Sequence, residues 1–256
     1  MARRRTGTRG RRKRHRQPPL GLIMAALALL IAAFGARAWL RAHPYDNPWA
    51  PLAITDPVSW TTRGKLAPLV AQGDACRTLL RNAGVRIHPL DAVGTGHCRA
   101  PWRTQIRSGG PVDYAIVPDG VAPSCAVSAS LLLWMRDVVQ PAARARFGSS
   151  VRRIEHLGSY NCRPIRGRST QWSEHATGNA IDIAAFVLAD GRRIVLTRDW
   201  NGQRERAAFL RDVRDGACTI FATVLSPDYN AAHANHFHLD QAQRPARWPL
   251  RSTVCR

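Results

Sequence analysis

The hydrophobic and polar positions divide the chain into two unequal parts. From Leu20 to Gly35 no side chain is polar, and the apolar run continues to Leu40 with Arg37 as its one charge. About 20 apolar residues in a helix cross a bilayer core of ~30 Å. Residues 20–40 are therefore expected to span, with Arg37 reaching the interface beside Trp39. Pro44, Pro51, Pro57 and Pro68 then punctuate residues 41–73, which read as a linker with little regular structure. Beyond it, the pattern breaks into short elements. Asp74–Asn82 reads as a helix stopped by Gly84, and residues 96–118 have strand character interrupted at Ser108-Gly109-Gly110-Pro111. Ser124 is placed to cap a long helix over Cys125–Phe147, with Leu131, Leu132, Trp134, Met135 and Val138 towards the core and Pro141 as a kink or break. Val151–Gly158 reads as a strand. Asn179–Val187 and Arg192–Leu196 form a hairpin around Asp190-Gly191. Gln203–Asp215 reads as a helix, and Phe221–Leu225 and His236–Asp240 as strands. This mixture predicts an α+β domain over residues 74–256, with a mostly antiparallel sheet and flanking helices.

Charge orients that arrangement. The 256 residues carry 38 Lys+Arg against 17 Asp+Glu, a net charge of +21. Nine of the cations, and no acid, fall in residues 1–16. A basic tail over 1–19 abutting a spanning segment is a topology signal: by the positive-inside rule it stays in the cytoplasm. The expectation is a single-pass inner-membrane protein with its C-terminal domain in the periplasm. Ala36-Arg37-Ala38 has the small-residue form of a cleavage site. The long tail and long apolar run favour a retained anchor instead. The same reading makes a nucleic-acid partner unlikely to be the purpose of the arginines.

Cys76, Cys98, Cys125, Cys162, Cys218 and Cys255 all follow the apolar segment and form no C-x-x-C pair. That argues against a zinc ribbon or a dithiol redox centre and for up to three disulfides in an oxidising compartment. Fifteen pairings are possible. Proximity along the chain favours Cys76–Cys98, a tie of the C-terminus favours Cys218–Cys255, and Cys125–Cys162 remains.

Three segments carry chemistry: Ser173-Glu174-His175-Ala176-Thr177-Gly178-Asn179-Ala180-Ile181-Asp182, His233-Ala234-Asn235-His236-Phe237-His238-Leu239-Asp240, and Gly158-Ser159-Tyr160-Asn161-Cys162-Arg163. Side chains alternate faces along a strand. Phe237 and Leu239 would thus face the core while His236 and His238 converge on a cleft. Asp182 shares a face with the small Ala180 and Ala184, and the Gly178 loop can bring His175 back towards it. Two imidazoles and a carboxylate suit tetrahedral Zn²⁺ with an open fourth position.

The segments SEHATGNAIDIAAF, YNAAHANHFHLD and GSYNCR resemble the bacterial extensin-like C-terminal domain family over residues 74–256. That family is similar in turn to the zinc D-alanyl-D-alanine carboxypeptidases and dipeptidases, with their S-x-H-x6-D and H-x-H signatures. The resemblance implies a D-Ala-D-Ala metallopeptidase-like fold, with His175, Asp182 and His238 as zinc ligands. It also implies His236 as base or transition-state stabiliser, Arg163 as the cation on the substrate carbonyl, and Ser173 at a substrate terminus. The function implied is hydrolysis of peptidoglycan stem peptides or cross-links. Two other readings are open on the residues: a non-catalytic wall-binding module, and a glycan hydrolase using carboxylates such as Glu174 and Asp240.

Overall fold

The structure is a computed structural model that describes residues 20–244, 246–247, 250–251 and 254–256. The basic tail expected over 1–19 lies outside the described residues. Two compact units follow one another, Met1–Pro44 and Tyr45–Arg256. Among the described residues the first contains the helix Leu20–Ala42, with no buried residue. Its 23 residues rise about 34 Å, so the helix is long and apolar enough to cross a bilayer and fits a single-pass membrane anchor.

The second unit begins earlier than a linker over 41–73 would allow. Thr62–Leu66 is helical and Ala67–Val70 forms a 3-10 turn with Pro68 in its first turn. A proline costs nothing there, since the first N–H groups of a helical turn have no internal partner. Ile54, Leu66 and Leu69 join the core. The prolines hid these elements from a reading based on breakers.

Helix Gly73–Asn82 is as expected. It leads to the core helix Cys125–Trp134, all ten residues of which are buried. Ser124 Oγ caps it by accepting from Val127 N at 3.3 Å. The helical run continues through Pro141 but is divided just before it. It widens into a π turn over Met135–Val139 and resumes as Gln140–Phe147, with Pro141 in its first turn. Gly148 closes it in the left-handed region at φ +63°. Trp134 joins this helix to the rest of the core. Its ring meets Phe186 edge-on at 5.8 Å, and its Nε1–H donates to Val213 O at 2.8 Å. Phe186 lies on the sheet and Val213 on helix Arg204–Ala217.

The main sheet has seven strands among the described residues. Its order is Val254–Cys255, Thr223–Leu225, Phe237–Asp240, Ala180–Leu188, Val151–Gly158, Ala115–Val117, with Arg193–Val195 also on Ala180–Leu188. The expected hairpin at Asp190-Gly191 is present. The sheet is mixed, so the mostly antiparallel expectation fits in part: both end pairs are parallel, and the inner pairs and the hairpin pair are antiparallel. Parallel neighbours need a crossover. The Cys125–Phe147 region supplies one between Ala115–Val117 and Val151–Gly158.

The disulfides are Cys76–Cys125, Cys98–Cys162 and Cys218–Cys255. Only the last, expected as a tie of the C-terminus, matches; the expected Cys76–Cys98 and Cys125–Cys162 pairs exchange partners. Helix Gly73–Asn82 packs on the first turn of the core helix and brings Cys76 to Cys125, while Tyr160 Oη donates to Cys98 O at 3.0 Å and holds that turn beside Cys162. The bridges close spans of 49, 64 and 37 residues, each worth ~4 kcal/mol by loop entropy. Under denaturing, non-reducing conditions the chain should alkylate at no cysteine, and reductant should lower its unfolding midpoint sharply. Alkylation of all six without reductant would refute these pairings.

Candidate functional site

Phe237 and Leu239 are fully buried, and His238 and Asp240 lie on the opposite face of their strand. His238 is directly opposite Asp182 in the antiparallel pair. His175 comes from the 3-10 turn Glu174–Thr177, which Ser173 caps by accepting His175 N–H at 3.3 Å. Gly178, in the left-handed region at φ +68°, ends that turn and sends the chain into the Asp182 strand.

Three atoms meet at the centre. His175 Nε2 is 3.0 Å from His238 Nδ1 and 3.2 Å from Asp182 Oδ1, and His238 Nδ1 is 3.1 Å from the same carboxylate oxygen. The outer ring nitrogens fix the tautomers. His175 Nδ1 is 2.6 Å from the Ser159 carbonyl, which can only accept, so this nitrogen carries the proton. His238 Nε2 likewise donates to Asp240 Oδ2 at 3.0 Å. In their neutral forms both imidazoles therefore turn lone pairs inward, against a carboxylate that is also an acceptor. Three convergent acceptors repel unless a cation or a proton lies between them. His175, Asp182 and His238 form the one His/Cys/Asp/Glu group among the described residues with metal-holding spacing. Outer-layer partners of this kind are what hold zinc-binding imidazoles in place, so the donor set fits Zn²⁺.

Electrostatics follow from that crowding. Burial opposes ionisation of Asp182, but the facing His175 and His238 imidazoles, which donate to it when they carry a second proton, outweigh burial and hold the carboxyl well below its ordinary range. Burial alone would also make His238 less basic, yet Asp182 and Asp240 push it up to about 9. A metal must displace the proton held there. His236 is adjacent, its Nε2 3.5 Å from Asp182 Oδ1 and its Nδ1 2.7 Å from Asn235 Oδ1. Burial lowers its basicity; the Asp182 carboxylate opposes this, and the His238, His175 and Arg163 charges add to the fall. Arg163 is exposed at the rim and touches Pro164 O at 3.5 Å. The structure thus brings His175, Asp182, His236 and His238 together, with Ser173 capping the turn of His175 and Arg163 at the edge without a bond to the cluster.

The family model described as extensin-like protein C-terminus matches residues 74–256, a span that holds every residue of this cluster. The chain belongs to that family. No curated protein and no solved structure matches it.

In this extensin-like protein, several residues support the cluster that had no part in the metal reading of the sequence. Asp240 orients His238 and also accepts Ala242 N–H through Oδ1 at 2.9 Å. The H-x-H-x-D alternation contained that signal, since Asp240 is two residues after His238 on the same strand face. Ser159 acts through its backbone carbonyl, which no residue type can reveal. His233 packs 5.2 Å from the His236 ring. Burial and the neighbouring imidazoles lower its pKa to about 4. Glu174 accepts from Asn179 Nδ2 at 2.7 Å, and burial raises its pKa. Glu174 and Asp240 are thus both engaged in supporting the extensin-like site.

Proposed function

We propose that this extensin-like protein is a membrane-anchored, periplasmic zinc peptidase acting on peptidoglycan stem peptides or cross-links. The observation that carries the reading is the convergence of three acceptor atoms from His175, Asp182 and His238 within 3.0–3.2 Å of one another. A zinc ion bound there would supply Lewis acidity and a water that ionises near neutral pH. His236 Nδ1 donates to Asn235, leaving Nε2 as the atom that takes or returns a proton. Arg163 at the rim pairs with negative charge developing on a carbonyl oxygen, an interaction stronger in the transition state than in the ground state. Ser173 Oγ accepts from His175 N and keeps its own hydrogen for a substrate carboxylate.

The peptidase assignment rests on the S-x-H-x6-D and H-x-H spacing, and the periplasmic assignment on the nine N-terminal cations together with three disulfides. The test is release of amino acids or peptides from purified peptidoglycan by the full chain in detergent, with and without a chelator. The expected outcome is metal-dependent release. A zinc-loaded chain that cleaves no stem peptide or cross-link would favour the non-catalytic wall-binding module.

A further inference from the structure

An element that the sequence reading did not anticipate stands beside the cluster. Pro164–Ile165 pairs with Arg168–Trp172 in a two-stranded hairpin, with Gly167 at φ +79° in its turn. Every residue from 161 to 172 is exposed. An isolated two-stranded hairpin is marginally stable, yet this one is secured at its root three times. Ser173 N–H donates to Arg163 O at 3.3 Å. The Cys98–Cys162 bridge fixes its first arm. Trp172 stacks on His97 with 5.4 Å between ring centres and 18° between planes.

Its surface is unusual for a solvated loop. Ile165 and Trp172 are each 40% exposed. Arg163, Arg166 and Arg168 accompany them with no acid between Ser159 and Ser173. No carboxylate pairs with any of these arginines among the described residues, and Arg168 bonds only Gln171 Oε1 at 3.1 Å. The root also faces the site, since Ser173 caps the turn carrying His175.

We propose that this hairpin is a substrate-holding arm for a glycan strand bearing carboxylates, the polymer to which the proposed function assigns the site, and the inference rests on that reading. The guanidinium groups pair with stem-peptide carboxylates. The Trp172–His97 stack offers a flat aromatic face whose negative π surface attracts the weakly positive C–H groups of a sugar ring. Attachment at the root of the hairpin places the bound strand beside His175 and Arg163.

The test is co-sedimentation of the full chain in detergent with purified peptidoglycan sacculi, alongside the metal content of each variant. Arg166→Ala/Arg168→Ala should weaken binding about tenfold at low salt, and this difference should shrink at high salt. Trp172→Ala should weaken it about tenfold at any salt, with Trp172→Phe restoring most of it. Metal content should be unchanged in all of them. Blocking the sacculus carboxylates as neutral amides should bring wild-type binding down to that of the double arginine variant. Wild-type binding that ignores both variants, or that ignores carboxylate blocking, overturns the arm, as does absence of sacculus binding. Binding needs no turnover. A chain that binds through the hairpin but cleaves nothing would retain the arm and remove the peptidase. Metal-dependent cleavage with binding indifferent to the hairpin would do the reverse.

Discussion

Zinc bound at about one ion per chain is expected to disappear when any one of His175, Asp182 or His238 is replaced by alanine. With three protein donors there is no spare ligand. Asp240 allows a graded comparison. It holds His238 Nε2–H at 3.0 Å and does not point into the centre. Asp240→Asn should therefore weaken zinc by ~10–100-fold, the usual cost of losing an outer-layer partner, and the three donor replacements by considerably more. Elemental analysis after dialysis against a graded chelator series reads all four. Full zinc occupancy in His238→Ala would remove the site. Equal losses in Asp240→Asn and His238→Ala would mean that the two residues are not in separate layers.

Turnover should separate from occupancy in a second pair of variants. His236→Ala and Arg163→Ala are expected to retain most of the zinc and to lose about 10²–10³ in rate, by the precedent of a single lost transition-state donor. His236 is 3.5 Å from Asp182 Oδ1, too far to be the carboxylate's main partner, and its other nitrogen is occupied by Asn235. Arg163 bonds no group of the cluster among the described residues, so its removal leaves the donors in place. Rates on purified peptidoglycan, with metal content measured on the same samples, decide the matter. If His236→Ala loses its zinc, it is a ligand and the catalytic assignment is wrong. If Arg163→Ala retains full activity, the rim charge does no chemistry.

Where local pattern governs structure, the sequence was readable. The Gly73–Asn82 and Arg204–Ala217 helices, the Val151–Gly158 strand and the Asp190-Gly191 hairpin come from periodicity and turn chemistry that operate over a few residues. The alternation of His236, Phe237, His238 and Leu239 gave the cluster its facing, because a strand repeats every two residues. Elements set by distant contacts were not readable. Cys76 meets Cys125 because two helices pack, and no spacing encodes that. The parallel end pairs of the sheet depend on crossovers rather than on composition. The 164–172 hairpin lacks the apolar alternation of a half-buried strand because all of it is exposed. Leu66 and Leu69 were masked by neighbouring prolines, although they reach the core.

Asp182 and His238 are 56 residues apart, yet strand register places them opposite each other. Between them lie the rest of the Asp182 strand, a hairpin, the Arg204–Ala217 helix, the Thr223–Leu225 strand that pairs with His238 on its other side, and a connection over residues 226–235. The exposed stretch at residues 228–232 is the part of this span that can lengthen or shorten over evolutionary time, whereas the elements around it carry core residues such as Phe186, Phe209 and Phe221. One residue gained or lost inside Phe237–Asp240 has the opposite effect: it turns His238 and Asp240 into the core and Phe237 and Leu239 out to the site. Tolerance to insertion is thus sharply divided along this chain, wide in the connection and nil across four residues of strand.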